Sequence, residues 1–339
     1  MGFENVTIKT VAERTGFSTT TVSRVLNGTY RKYRVSEITA AGIIAEAKKL
    51  GYIPNQAAVN LRKRTNNTIG LVVPSLSNPF FSTIASVISK AFYLRNYSVY
   101  MVDCDENEEN ERQILSSVSG QNLDGLIVIP SSTDHKHLDR LVAARLPIIF
   151  IDRYFEGLPI PYVSTNNYIG ALTAVRLLAS RGHEKIACIQ GNPLVISNKE
   201  RVRGYFDGIS MEGLNYSYVS GSEFTQQAGY EEMNRILDAN EKPTAIFAFS
   251  DTLTLGVLQA LNERGLKVYD DISLLSFDNS RYLDFLETPI TSIAQPVKQI
   301  AERAVTLLLE RLDNPHIDQE SILFAPKLIE RKSIKNLNK

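Results

Sequence analysis

The chain has 339 residues, enough for two or three domains, and its 43% apolar and 22% charged content is that of a water-soluble globular protein. No apolar run reaches the roughly 18 residues of a membrane span, and the start "MGFENVTIKT" lacks the charged-then-apolar layout of a secretory signal. The zero net charge hides a split: residues 1–66 carry eleven Lys and Arg against four acids, leaving 26 against 33 in the remainder. A basic head on an acidic body implies a polyanionic partner for the head alone. Cys104 and Cys188 are far apart and lack metal-ligand spacing, which points to a reducing cytosol and to no metal site.

In chain order, the head reads as three short helices. Ile8, Val11, Ala12 and Thr15 form one stripe of the first, which ends at Gly16. A brief turn leads to Ser18, a good N-cap for the second. There Val22, Val25 and Leu26 face inward, while Thr20, Ser23, Arg24 and Asn27 form a short, polar outer face. The third helix begins after Ser36, with Ala40, Ile44, Ala47 and Leu50 expected inside. Two helices joined by a short Gly-containing turn make a helix-turn-helix, whose second helix is the one presented to DNA.

The segment "PNQAAVNLRKRTNN" begins helix-like and ends as a basic, Asn-rich link, too short to be a stable helix alone. From Ile69 onward the pattern changes. Strand-length apolar runs ("IGLVVP", "SVYMVD", "DGLIVIP", "LPIIFID", "KIACIQG", "TAIFAFS", "ISLLSFD") alternate with amphipathic stretches such as "SNPFFSTIASVISKAF". This alternation predicts βαβ units and buried parallel sheets, and so many strands predict two lobes. There is no Gly-rich phosphate loop after the first strand, no nucleophile elbow and no HExxH, so nothing in the sequence asks for an enzyme or a cofactor. His183, in the "RGHEK" turn, reads as structural, and "DHKH" at 134–137 reads as a solvated loop.

The head segments "TIKTVAERTGFSTTTVSRVLNG" and "LGYIPN" resemble the LacI/GalR family of bacterial transcription regulators, and the body continues the likeness in order. "IGLVVPSLSNPFFSTI", "PIIFIDR", "RGHEKIACIQG", "ERVRGYFDGI", "AIFAFSDTLTLGVLQAL" and "ISLLSFDN" carry it there. The resemblance implies an α/β fold class: a helix-turn-helix head at 1–53, a hinge at 54–66, and a core at 67–339 like that of type I periplasmic binding proteins. By analogy the first lobe takes 67–161 and 291–324, the second 162–290 and 325–339, joined by three crossovers. It implies a cytoplasmic homodimer, nucleoid-associated when bound to double-stranded operator DNA, without membrane contact. It also implies a repressor of carbohydrate-utilisation genes, controlled by a sugar or sugar-acid effector held between the lobes.

The resemblance places base reading on Thr19, Thr20 and Arg24. Thr hydroxyls and methyls suit base edges and thymine methyl groups, and Arg suits a bidentate grip on guanine. Thr7, Ser18, Thr21, Ser23, Asn27, Arg31 and Asn55 are assigned to supporting DNA contacts, mainly to the backbone that fixes register. Leu61 matches the family's minor-groove wedge, though Val59 stands where Arg is usual. The stretch "GTYRKYR" is longer than the family norm and adds Tyr30, Arg31, Lys32, Tyr33 and Arg34, read as further phosphate contacts or as a plain exposed loop. The effector set is Phe80, Phe81, Asp152, Ser197, Arg201, Phe224, Ser250, Asp251 and Asp278: aromatic faces for C–H surfaces, charged and hydroxyl groups for ligand hydroxyls. Asn166 and Arg176 depart from the family's Asp and His. A solute-binding or sugar-modifying protein on the same core, or a regulator governed by a protein partner, are the alternatives.

Overall fold

The computed structural model describes residues 6–52, 66–118 and 120–338, in two units, 1–66 and 67–339. In the first, α1 (Ile8–Thr15), α2 (Thr19–Leu26) and α3 (Glu37–Lys49) pack around Val11, Ala12, Val22, Val25, Ala40, Ile43 and Ala47. Gly16 closes α1 with φ +72°, a left-handed conformation that costs glycine nothing. Ile43 rather than the expected Ile44 faces this core, and Ile44 is exposed. The helix starts at Glu37, so its buried row runs Ala40, Ile43 and Ala47 at spacings of three and four. The "GTYRKYR" stretch contains a 3-10 turn, Tyr30–Tyr33, rather than an open loop. Residues of the expected hinge, Asn55, Val59 and Leu61 among them, lie outside the described residues.

The second unit runs, in chain order, β1 (Thr68–Val73), α4 (Pro79–Tyr93), β2 (Ser98–Asp103), α5 (Glu108–Val118), β3 (Gly125–Val128), α6 (Asp139–Ala143), β4 (Ile148–Ile151) and β5 (Tyr162–Thr165). It continues with α7 (Asn167–Ser180), β6 (Ile186–Ile189), α8 (Ile196–Met211), β7 (Tyr218–Ser220), α9 (Gln226–Asp238), β8 (Ala245–Ala248), α10 (Asp251–Glu263) and β9 (Ser273–Phe277). It closes with β10 (Thr291–Ala294), α11 (Val297–Asp313), β11 (Ile322–Phe324) and β12 (Lys327–Ile329).

Two six-stranded sheets result, ordered β11-β5-β4-β3-β1-β2 and β12-β10-β9-β8-β6-β7, parallel except for the antiparallel β10–β12 pair. The inner strands are fully buried runs such as Leu126–Ile129 and Ala245–Phe249, because helices cover both faces. The first sheet is sandwiched by one core around Ile69, Ile84, Phe92, Ile149 and Leu308, and by another around Leu126, Phe150 and Leu115. The second packs around Tyr205, Phe247, Phe277 and Val257. Each fully buried side chain of this size contributes about 1.5–3 kcal/mol to holding its lobe together.

β5 pairs with β4 in the first sheet, and β10 pairs with β9 in the second. The chain therefore crosses between lobes just after Thr165, around Gln295 and Pro296, and again between β11 and β12. These crossings shift the boundaries expected at 161/162 and 290/291 by several residues. The reason is that a strand stays with the sheet it hydrogen-bonds, and the crossing falls in the unpaired residues that follow it.

Candidate functional site

In both sheets the strand order reverses at the first strand of the lobe, β1 in one and β6 in the other, the switch point where open α/β sheets bind ligands at strand carboxyl ends. The two switch points contribute to one cavity. It is lined by Asn78, Phe80 and Phe81 after β1, Asp152 and Arg153 after β4, Ser197 and Arg201 on α8, Phe224, Ser250, Asp278 and Gln295. Eight of the nine residues expected at an effector site are thus brought together. The ninth, Asp251, is buried but does not line the cavity; it begins α10, where its carboxylate accepts a hydrogen bond from Ser280. Asn78, Arg153 and Gln295 were missed as site residues. Asp152–Arg153 adjoin in sequence, which was a usable signal; Gln295 gave none, because only the crossover brings it to the cavity.

Local chemistry explains each placement. Asn78 caps α4 by accepting from the Phe80 amide at 2.9 Å, with Pro79 at the first helical position, and this turn fixes the edge-to-face pair Phe80–Phe81. Asp152 and Asp278 each follow a buried strand and adopt left-handed backbone, φ +61° and +75°. A non-glycine residue there is strained, and such strain concentrates at functional sites. Asp278 Oδ1 accepts from Gln295 Nε2 at 2.6 Å. Asp152 Oδ1 is buried without a hydrogen-bond partner, and its other oxygen lies 3.9 Å from Arg153 Nε. Burial pushes both carboxyls above the usual carboxylate range, with Arg201 pulling each back toward ionisation.

Arg201 is the central cation of the second lobe. Nε donates to Asn167 Oδ1 at 2.8 Å, Nη1 donates to the Phe249 carbonyl, and the guanidinium lies 3.8 Å over the Phe277 ring. Arg153 is its counterpart in the first lobe, held by Glu106 at 2.8 and 2.9 Å between the rings of Phe81 and Phe224. Phe224 lies against Gly191, where any larger residue would meet the ring. Ser250 caps α10 by accepting from the Leu253 amide at 3.1 Å. The enclosed space is about 20 Å³, near the ~10–15 Å³ that one water needs.

In the head, the hydroxyls of α2 divide into two sets. Ser18 caps the helix through the Thr21 amide at 3.1 Å and pairs with the Thr21 hydroxyl, while Ser23 Oγ accepts from Asn27 at 3.2 Å. Thr7 caps α1 reciprocally with Thr10. Among the described residues, Thr19 and Thr20 are exposed and spend no side-chain bond on the protein. Arg24 stacks 3.7 Å over Tyr33, with Nε buried and unpartnered. Arg31 is engaged by Glu37 at 2.8 Å.

Two histidines test the other expectations. His183 is buried, with Nδ1 2.9 Å from Thr244 Oγ1 and Nε2 3.1 Å from the Lys335 carbonyl, and burial lowers its pKa. The "DHKH" stretch corrects the reading of a solvated loop. His137 is nearly buried, 2.8 Å from the fully buried Glu111, whose other oxygen accepts from the Ser131 and Ser132 amides. A buried carboxylate requires such partners, and Glu111 sits in so polar a helix that the sequence gives no sign of its burial.

A helix-turn-helix head followed by a two-lobed core of the periplasmic-binding type defines a class of protein: a DNA-binding regulator with a ligand-sensing body. Residues 7–55 match the model of bacterial regulatory proteins of the lacI family, and residues 175–334 match a periplasmic binding protein-like domain. The chain is 30% identical over 335 residues to the HTH-type transcriptional repressor PurR of Photobacterium profundum, covering 98% of this chain and 99% of that one. It is 31% identical to catabolite control protein A of Priestia megaterium, covering 98% and 100%. Its fold is similar to that of the Lac repressor dimer bound to operator and the anti-inducer ONPF, with a TM-score of 0.87, 25% identity, and coverage of 98% and 100%. The chain belongs to the lacI family of bacterial regulatory proteins, and is a DNA-binding transcription regulator.

Proposed function

We propose that this regulator is a dimeric, non-enzymatic repressor whose grip on an operator duplex is set by a small hydroxylated effector, a sugar or sugar acid, bound between the lobes. The observation that carries the reading is the convergence of Phe80, Phe81, Asp152, Arg201, Phe224 and Asp278, from segments up to two hundred residues apart, around one cavity. Aromatic faces beside carboxyl, guanidinium and amide groups suit a polyol. A ligand touching both lobes changes their relative orientation, and it shifts the equilibrium only by its differential affinity for the two arrangements. Thr19, Thr20 and Arg24 read the operator, with Asn27, Ser23 and Lys32 nearest the phosphates. The relatives named as a repressor and a control protein, and the operator-bound Lac repressor dimer, support this assignment. No described helix is long and apolar enough to cross a membrane, and the reading places the protein in the cytoplasm.

The test is retardation of the chain's own promoter fragments at low ionic strength with and without a carbohydrate panel. The expected result is retention altered at least about fivefold by one member, with Asp278→Asn retaining DNA but losing the response. Failure to retard any fragment under either condition overturns the reading.

A further inference from the structure

A second compartment of about 250 Å³ adjoins the central cavity and shares Arg153 with it. It is lined from the first lobe by Pro130, Ser132, His135 and Tyr154, and from the second by the start of α8, with Lys199. The helix begins after Val195, which has no side-chain oxygen to cap it, and the amides of Ile196, Ser197 and Asn198 donate to no described residue. Such an uncapped terminus of a sixteen-residue helix favours anions. Independently, the Ser132 hydroxyl is buried there without a hydrogen-bond partner, the residue being only 4% exposed. Lys199 is exposed and forms no ion pair among the described residues. Of the acids on the rim, Asp134 is held by Arg112 at 3.0 Å and Glu156 is exposed to solvent.

The central cavity has the opposite character. Asp152 and Asp278 line it and Asp251 stands behind, against Arg201 and an Arg153 whose charge is already met by Glu106. Hydroxyl donors are favoured there, and a second oxyanion is not.

We propose that the effector is bipolar: its hydroxylated end occupies the central cavity and an oxyanion, phosphate or carboxylate, docks on the amino terminus of α8 beside Ser132 and Lys199. This rests on the reading of the cleft as the effector site. The experiment uses the full chain and matched ligands: glucose, glucose 6-phosphate, gluconate, 6-phosphogluconate, and their fructose and ribose counterparts, with inorganic phosphate alone as a further arm. Thermal shift identifies binders and calorimetry ranks them.

The expected result is that an anionic member binds at least about tenfold tighter than its neutral parent. Lys199→Glu and Ser132→Ala should each remove most of that preference while changing the neutral parent's affinity less than about twofold. A phosphate ester and a carboxylate are distinguished by which arm responds, and protection by inorganic phosphate alone supports the subsite directly. Equal affinity for neutral and anionic members, unaltered in Lys199→Glu, overturns the anion subsite and leaves the cleft reading standing. No response to any member, with operator binding intact, overturns the effector class and the subsite together.

Discussion

Gln295 joins two lobes through one amide: Nε2 donates to Asp278 Oδ1 at 2.6 Å, and Oε1 accepts from Thr165 Oγ1 at 2.5 Å. Asp278 follows a strand of the second lobe, Thr165 ends a strand of the first, and Gln295 occupies a crossover between them. Under the proposed reading, a ligand bound to Asp278 therefore loads the crossover segment between the lobes. Replacing Gln295 with Leu should leave Asp278 and Thr165 buried without this partner, costing about 1–3 kcal/mol of stability. Effector affinity should fall about tenfold or more, while operator affinity without effector stays within a few-fold of wild type. Urea denaturation and ligand titration check the two halves separately.

The buried carboxyls give the core a definite pH dependence. Burial, reinforced by the nearby Asp278 carboxylate, raises Asp251 from an ordinary 3.8 to about 7, and burial raises Asp278 and Asp152 in the same direction. The folded chain thus keeps protons that the unfolded chain releases near pH 4. The stability these three groups contribute is fully present below that point and declines as pH rises toward about 7, where Asp251 ionises in the folded state. Asp251→Asn should flatten the part of the slope between about pH 5 and 7, seen as a smaller Tm difference between those two values in calorimetry. A slope unchanged by the substitution would remove Asp251 from the account.

Much of this was legible in sequence because it follows from local rules. Ser18 before "TTTV" and Ser36 before "EITA" cap their helices, and continuous apolar runs such as "GLIVIP" become strands buried on both faces. Strand ends then place Asp152 and Asp278 without further information. What escaped depends on distant contacts. Glu111 and His137 meet across 26 residues, so neither pattern betrays burial, and Gln295 reaches the cavity only because two sheets exchange strands. Periodicity also put Ile44 inside where one more residue of phase makes it Ile43.

The 3-10 turn after α2 has a consequence for DNA reading. Tyr33 lies under the Arg24 guanidinium at 3.7 Å and restricts a side chain that would otherwise sweep a wide cone. If Arg24 reads a base as proposed, Tyr33→Ala should lower operator affinity by about threefold to tenfold and blunt discrimination at that base, without changing the slope of affinity against salt. Lys32→Ala is the contrasting case. Arg31 is partly neutralised by Glu37, so Lys32 is the freer cation of the turn, and its loss should shallow that slope by about one while sparing specificity. Footprinting on a randomised operator at several salt concentrations separates the two.

Gly191 decides whether the second lobe can offer its aromatic wall. It lies two residues after β6, and the Phe224 ring occupies the place where a side chain at 191 would stand. The Phe224 backbone is itself tied to α10 through its carbonyl, which accepts from Thr252 Oγ1 at 2.9 Å. Gly191→Ala should push the ring toward Arg153 and narrow an already small cavity, and Gly191→Val should do so further. Effector affinity should fall about tenfold in the first and beyond measurement in the second, because close-packed interiors yield little to an added methyl group. Operator binding without effector should persist in both, which retardation assays check. If Gly191→Val still responds to effector at wild-type concentrations, Phe224 is packing material for the loop and not a wall of the binding site.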